Sequence, residues 1–325
     1  MNDVSGKVSV IIPVFNRKIQ LGDALASLQN QSCDQFEVVV VDDGSSEDIE
    51  SVTRSFKKSL RLIYARIDNS GSPARPRNYG IELARNEWVA FLDSDDWWTP
   101  DKIEKVLQYT AQDVDVIYHK LLIAVDPDSA ASSHTSCGWR VSGDPLVHLL
   151  TKGNFVPNSS AVFRKNALKD VGNISEEQPL VEDYDLAIRL AAHGARFLYI
   201  DKVLGYYRRS SDGISIPSVK NALGLQAVFE KANGLLPVEY RAIGDAFASY
   251  SVGLGYLRSG DYVNASLHFK KSLATRSFRY KLRSLARLLA IIAMKIGRTK
   301  RDNHGPADTI SRLLKYPTPM RGTLL

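Results

Sequence analysis

Three carboxylates crowd into four positions at Asp93, Asp95 and Asp96, directly after the apolar run Val89–Leu92. A short continuous apolar run reads as a buried strand. Isolated carboxylates are costly to bury, so this much charge at a strand end calls for a cation. A hard divalent ion, Mg²⁺ or Mn²⁺, suits the position, because such ions take oxygen ligands and usually bridge one or two protein carboxylates to substrate phosphates. Asp93 and Asp95, at i and i+2, are the candidate ligands. The competing reading is a solvated acidic turn that caps a helix starting near Thr99. A second acidic strand end follows Phe36–Val41, at Asp42 and Asp43. A third acidic pair, Glu182 and Asp183, stands at the first turn of an apolar helical pattern that stops at Gly194. Acids at a helix start also occur simply because they suit the helix dipole.

The elements that must position these residues follow from hydrophobic periodicity. Val8–Val14 is a continuous β-branched run, as expected of a strand buried on both faces. It ends at Pro13 and the polar turn Phe15-Asn16-Arg17. Helical spacing over Ile19–Gln29 places Leu21, Ala24, Leu25 and Leu28 on one face. Further helices are expected over Glu47–Lys57, Arg77–Arg85, Thr99–Gln112 and Lys165–Val171. Further strands are expected over Leu60–Ala65, Val114–His119, Asn154–Phe163, Arg196–Asp201 and Lys202–Arg208. Asp126–Ser136 reads as an exposed loop. Strands alternating with helices imply an α/β, doubly wound, mostly parallel sheet. Its ligand crevice lies at the carboxyl ends of the strands, and there Pro13–Asn16, Asp42–Ser45 and Asp93–Asp96 converge. No G-x-G-x-x-G follows a strand and no G-x-x-x-x-G-K-[ST] is present, so a dehydrogenase or P-loop enzyme is not expected.

The 325 residues leave room for a large domain and a smaller one. Cys33 and Cys137 are the only cysteines, and no pair of the six His has zinc-site spacing. A reducing compartment is the simple reading. The first residues lack the basic-then-apolar pattern of a signal peptide, and no apolar run is long enough to span a bilayer. A cytoplasmic protein is therefore expected. Charge is uneven: residues 270–325 hold 14 Lys or Arg and 2 Asp, a net +12, which leaves −6 on residues 1–269. An acidic body with a basic tail points to a tail that meets an anionic surface.

The segments VSVIIPVFNR (8–17), FEVVVVDDGSSED (36–48), RNYGIELARNEWVAFLDSDDWWTPDKI (77–103), EDYDLAIRLAAHG (182–194) and YYRRSSDGIS (206–215) resemble, in order and spacing, the family 2 glycosyltransferases. These are inverting enzymes of the GT-A fold. The resemblance covers residues 8–215 and implies a catalytic domain over 1–215, with a helical region over 216–325. It implies transfer of a sugar from a nucleotide-diphosphate-sugar, a UDP-sugar being favoured, to the hydroxyl of a saccharide or lipid-linked acceptor in polysaccharide or glycolipid synthesis. Pro13, Phe15 and Asn16 would line the base and ribose, and Asp43, beside Asp42, would hydrogen-bond the base. Arg75 or Arg77 would reach the donor. Asp93, Ser94 and Asp95 would form the D-x-D, with Asp95 the more direct ligand of Mg²⁺ or Mn²⁺. Asp183 would be the general base with Glu182 in support, and Trp97 and Trp98 would stack on a sugar or acceptor. Two features depart from the family. Gly71–Asn78 reads GSPARPRN where G-x-S-x-A-R-N is usual. Tyr207-Arg208-Arg209 is followed by Ser210 where a His is common, leaving Arg208 or Arg209 to offset leaving-group charge. Nucleic acid is not an expected partner.

Ile216–Lys315 is helical by pattern and lies outside the resemblance. Gly253, Tyr256, Gly260, Tyr262, Ala265 and Phe269 have the spacing of a single tetratricopeptide-type helix pair. A plain helical cap is the alternative. Ser284–Gly297, flanked by Arg279, Lys281, Arg283, Arg287, Lys295, Arg298, Lys300 and Arg301, suits a helix lying in an anionic membrane surface, on the inner face of the plasma membrane. A buried helix with basic flanks is the rival. Two other functions remain in view: a catalytically degenerate scaffold, and a nucleotidylyltransferase. The latter would need a Gly-rich basic loop after the first strand, and Pro13–Arg17 contains no Gly.

Overall fold

The computed structural model describes residues 7–127, 136–177, 180–209, 218–275 and 277–299, the side chains of 294–299 excepted. The chain divides into two compact units. One comprises Met1–Pro145 with Phe155–Gly213, and the other Leu146–Asn154 with Ile214–Leu325.

The first unit is built on a sheet that runs, among the described residues, β3-β2-β1-β4-β8-β6-β9-β5, with β7 on β6. The strands are β1 (Val8–Val14), β2 (Phe36–Asp43), β3 (Leu62–Ile67), β4 (Trp88–Phe91), β5 (Trp97–Trp98), β6 (Val116–Ala124), β7 (Ser136–Cys137), β8 (Val162–Arg164) and β9 (Phe197–Arg208). Every residue of β1, β2 and β4 is buried, because helices cover both faces, as a parallel sheet requires. These are α1 (Lys18–Gln29), α2 (Ile49–Phe56), α3 (Ala74–Leu83) and α4 (Lys102–Leu107). Pro13, which lacks an N–H, is tolerated in central β1 because pairing with β4 stops at Ile11–Phe91.

The mostly parallel sheet is as the sequence implies, but β8 runs antiparallel to both β4 and β6. Periodicity does not encode strand direction, and the consequence is large. An antiparallel strand begins where its neighbour ends, so Asn158 and Ser159, just before β8, arrive at the carboxyl end of β4. The two strands expected over 196–208 are one twelve-residue strand. Its register against β6 shifts twice, around Lys120, and such an irregularity interrupts side-chain alternation. The helix expected from Arg77 starts earlier, at Ala74. Pro76 then falls in the first turn, where its missing N–H is not needed. The helix expected over Thr99–Gln112 is only Lys102–Leu107. Part of the loop read over 126–136 lies outside the described residues.

In the same unit are α6 (Lys165–Asp170) and α7 (Glu182–Ala192), which ends at Gly194 with a positive φ of 83°. The helical unit contains most of α5 (Pro145–Lys152), then α8 (Val219–Ala232), α9 (Val238–Arg258), α10 (Tyr262–Leu273) and α11 (Phe278–Thr299). In it α9 approaches its neighbours through glycines. A Cβ on Gly253 would lie 2.8 Å from the Phe269 ring, and one on Gly255 2.7 Å from Ala222. Residues 300–315 of the expected helical region lie outside the described residues.

The first unit depends on α3 lying close on β1. A Cβ at Gly80 would come 2.4 Å from Cγ2 of Ile11, a fully buried β-branched side chain with little rotameric freedom. Gly80→Ala is therefore expected to destabilise the protein by about 1–3 kcal/mol, the usual cost of overpacking a dense core, despite the better helix propensity of Ala. Denaturant unfolding of the variant measures this.

Candidate active site

The carboxyl edge of the sheet carries acids that would repel one another, and arginines from neighbouring elements hold them. Asp93 follows β4. Its Oδ1 accepts from Nη2 of Arg77 at 2.7 Å and from Asn158 Nδ2 at 2.9 Å. Nη1 of the same Arg77 donates to Oε1 of Glu182 at 2.6 Å. Arg77 is 4 % exposed and Glu182 6 %, so this is a buried bridge. It links the first turn of α3, the end of β4 and the first turn of α7. Burial pulls the Arg77 guanidinium down, and the two carboxylates more than offset it, leaving it above its ordinary value. Burial pushes Glu182 up to about 7, against the pull of Arg77 and with a push from Asp183.

Asp95 Oδ2 accepts from Arg17 Nη1 at 2.6 Å, tying the turn after β1 to the end of β4. Burial raises Asp95, with Arg17 pulling back and Asp93 adding to the rise. Asp96 is enclosed, and its Oδ1 accepts the Arg208 backbone N–H at 2.8 Å. Burial, then Asp95 and Asp93, hold its carboxyl well above the ordinary value. Asp183 is half-buried at the start of α7, and its Oδ1 accepts the Tyr184 N–H at 2.7 Å. Burial raises it, Arg77 lowers it and Asp93 raises it. Asp183 therefore shares an electrostatic environment with the D-x-D.

The second acidic strand end is organised internally. Asp42 is fully buried. It accepts from Ser45 N, Tyr64 Oη and Arg66 Nη1, at 2.8, 2.9 and 2.7 Å. It shapes the turn and has no surface for a donor, which corrects its expected place among the donor-binding residues. Asp43 accepts from the N–H and hydroxyl of Ser70, at 2.9 and 3.0 Å. Directly after them, Gly44 has φ 74°, and a Cβ there would lie 2.7 Å from Asn69 N. Only glycine fits this turn. Asn16, with φ 49°, accepts from Ser46 N at 2.8 Å and locks the β1 turn to the β2 turn. Phe15 is 47 % exposed, whereas Pro13 lies within buried β1.

Several expected contacts are placed differently. Trp97 and Trp98 are buried. Trp97 stacks on Tyr206 at 5.3 Å and under Arg208 at 4.8 Å. Trp98 lies beneath Lys102 at 3.8 Å and donates to Ser159 O at 2.7 Å. Their faces are thus occupied, and the expectation that they stack on a sugar is corrected. Arg208 is committed to Asp23, at 2.6 Å, and to the carbonyl of Asp95, at 2.7 Å. Arg77 is likewise committed internally. Arg75 and Arg209 are exposed, with no side-chain partner among the described residues. Ser94 is 5 % exposed. Residues missed from the sequence include Arg17, Asp23, Tyr64, Arg66, Ser70 and Asn158. Arg17 alone stood within a recognised motif.

Asp93 and Asp95 suit a divalent ion. Their side chains are 27 % and 20 % exposed. The side-chain bonds use Oδ1 of Asp93 and Oδ2 of Asp95, so one hard oxygen on each has no side-chain partner among the described residues. Among these residues no three His, Cys, Asp or Glu form a metal cage. An ion of the Mg²⁺ type does not need one, since it usually takes one or two carboxylates and completes its shell with substrate oxygens and water.

Removing the bridging cation would leave two carboxylates crowded and poorly solvated. Arg77→Ala is expected to destabilise the protein by about 3–5 kcal/mol, as for other broken buried pairs. The deficit has a sign in pH. Glu182 already titrates near 7 in the fold against an ordinary 4.5, and without Arg77 it rises further. The unfolded chain then ionises more readily than the folded one, so stability falls as pH rises above about 4.5. Unfolding of wild type and variant at pH 5 and pH 8 should show the larger difference at pH 8.

The sequence pattern of glycosyl transferase family 2 matches residues 9–172. An uncharacterized glycosyltransferase of Haemophilus influenzae is 25 % identical over 302 residues, covering 87 % of this chain and 96 % of that protein. The amylovoran biosynthesis glycosyltransferase AmsB of Erwinia amylovora is 26 % identical over 83 % of this chain and 91 % of its own. An uncharacterized glycosyltransferase of Rickettsia conorii is 41 % identical over 125 residues, but the match spans only 20 % of that protein and 37 % of this chain. Among solved structures, the mannosyltransferase PcManGT of Pyrobaculum calidifontis, in complex with GDP-Man and Mn²⁺, superposes with a TM-score of 0.59 at 18 % identity, covering 96 % of this chain and 85 % of that one. S. aureus TarS 1–349 in complex with UDP-GlcNAc gives 0.57 at 19 % identity, over 82 % and 91 %. At these identities the likeness concerns the fold, which is of the GT-A type. With its pattern matched over half its length and these strand ends in place, the chain belongs to glycosyl transferase family 2.

Proposed function

We propose that the protein is an inverting, metal-dependent glycosyltransferase that moves a sugar from a nucleotide-diphosphate-sugar to an acceptor hydroxyl in cell-surface polysaccharide or glycolipid synthesis. The observation that carries this is the Arg77 bridge, which brings the α7 acids to the same edge as Asp93. A UDP-sugar is the favoured donor. The complexes of TarS with UDP-GlcNAc and of PcManGT with GDP-Man and Mn²⁺ support a nucleotide-sugar donor. The similarity to AmsB supports a polysaccharide role.

In this reading Phe15 and Asn16 border the base and ribose, and Asp43 accepts from the base. Asp95, with Asp93, would hold Mg²⁺ or Mn²⁺, which when bound neutralises charge on the departing diphosphate. Arg75 and Arg209, exposed and uncommitted among the described residues, are the cations left to receive that charge. The acceptor oxygen bonds to the anomeric carbon as the bond from that carbon to the diphosphate oxygen breaks on the opposite face, which inverts the configuration. The acceptor proton passes to Asp183, and the electron pair leaves with the nucleoside diphosphate. Glu182, held by Arg77, positions the α7 turn.

Asp183→Asn keeps the shape and removes the basicity. Turnover is expected to fall by about 10²–10⁴, the usual worth of a positioned general base, with donor affinity near wild type. A base must be ionised to act, so activity falls as pH drops through its pKa. Burial raises Asp183 above 3.8, so the acid limb of the kcat/KM profile should lie above that value. A helix-start role alone would leave turnover near normal. Asp95→Ala should show the opposite pattern, losing Mn²⁺-dependent donor binding and hydrolysis while the melting temperature holds. A wild-type protein that neither binds nor hydrolyses any nucleotide-sugar in Mn²⁺ would point instead to the degenerate scaffold.

A further inference from the structure

Helix α11 carries two unlike faces. Tyr280, Ser284 and Ile291 are buried, at 2 %, 0 % and 2 % exposure. The Tyr280 hydroxyl donates to the carbonyl of Thr151, and its ring packs near Phe247 and Tyr250. This face anchors the helix within its own unit. The expected buried helix with basic flanks thus describes one side of this segment.

The other side is apolar and open. Phe278, Leu282, Leu285, Leu289 and Ile292 are 79 %, 60 %, 47 %, 58 % and 52 % exposed. They recur every three or four residues, so they form one stripe. Scattered exposed Leu or Ile residues need no explanation, but a contiguous stripe does. Cations border it. Arg279 stands three residues before Leu282, and Lys281 four before Leu285, so each lies beside the stripe. Both are exposed, and neither pairs with a carboxylate among the described residues. From Phe278 to Thr299 there is no Asp or Glu.

We infer that this stripe of α11 seats in the interface of a membrane rich in anionic phospholipid, with Arg279 and Lys281 at the headgroups. The charge pattern selects this occupant. A second copy pairing through the same stripe would set basic flanks against basic flanks with no acid to relieve them, whereas such seams normally carry opposite charges there. An anionic surface complements both flanks, and the stripe supplies the apolar area that such helices bury at the acyl boundary. Among the described residues no helix is long and apolar enough to cross a membrane, so the helix lies on the bilayer. The inference concerns the helical unit alone and does not depend on the catalytic reading.

The full chain should co-sediment with phosphatidylcholine vesicles containing phosphatidylglycerol and not with phosphatidylcholine alone. Binding should weaken as salt rises. Lys281→Gln should lower partitioning about fivefold, from roughly 1 kcal/mol per cation near an anionic surface. Leu285→Glu with Leu289→Glu should abolish binding while the melting temperature stays near wild type, since both side chains are exposed. Nucleotide-sugar hydrolysis in vesicle-free solution should be unchanged by the double variant. This separates failure here from failure of the enzymatic assignment. Absence of binding to anionic vesicles at low salt would overturn the inference. So would equal binding to neutral vesicles, or self-association in sedimentation velocity that the double variant removes.

Discussion

One buried guanidinium organises the candidate site. Arg77 donates to Asp93 at the end of β4 and to Glu182 at the start of α7. Three elements far apart in sequence therefore meet through a single planar cation. Arginine suits this place because its fork makes two separate charge-assisted bonds and its charge survives burial. A lysine ammonium lacks that fixed fork and gives up its proton more readily when buried. That contrast exists in the same unit, where buried Lys102 is pushed well below its ordinary value by burial.

The same logic recurs along the edge. Arg17 holds Asp95, Arg66 holds Asp42, and Arg208 holds Asp23 while bonding the Asp95 carbonyl. Each pair joins a residue at or near an acidic strand end to a different element. The acids can thus be gathered before any donor or ion arrives, because much of their mutual repulsion is offset within the protein. The carboxylates nearest the proposed chemistry, Asp93, Asp95 and Asp183, are more open than the enclosed Asp42 and Asp96. The edge therefore separates acids that build the turn from acids exposed to a ligand.

Much of this was legible in the sequence. Continuous apolar runs located β1, β2 and β4, and helical spacing located α1 and α7, because burial on both faces and amphipathic packing leave strong patterns. Strand direction left none. The antiparallel course of β8 brings Asn158 to Asp93 and Ser159 to the backbone of Asp93. Nothing in NFVPNSSAVF announces either contact. The tryptophans misled for a related reason. Composition shows an aromatic pair beside a carboxylate cluster, but only the pairing of Trp97 with Tyr206 across β5 and β9 shows that those rings face inward.

The two readings of Arg75 and Arg77 show how far a motif reaches. Both lie in the first turn of α3 and both are cations near an anionic ligand's expected place. Spacing alone cannot rank them. Burial does: Arg77 sits inside with two carboxylates on its fork, and Arg75, two residues earlier, points to solvent. On a helix, residues two apart do not share a face, so one turn supplies both a structural cation and an uncommitted one. The extra prolines of GSPARPRN are compatible with this, since Pro73 precedes the helix and Pro76 stays within its first turn. The departure from the usual motif thus leaves the helix start intact, and with it the split between the two arginines.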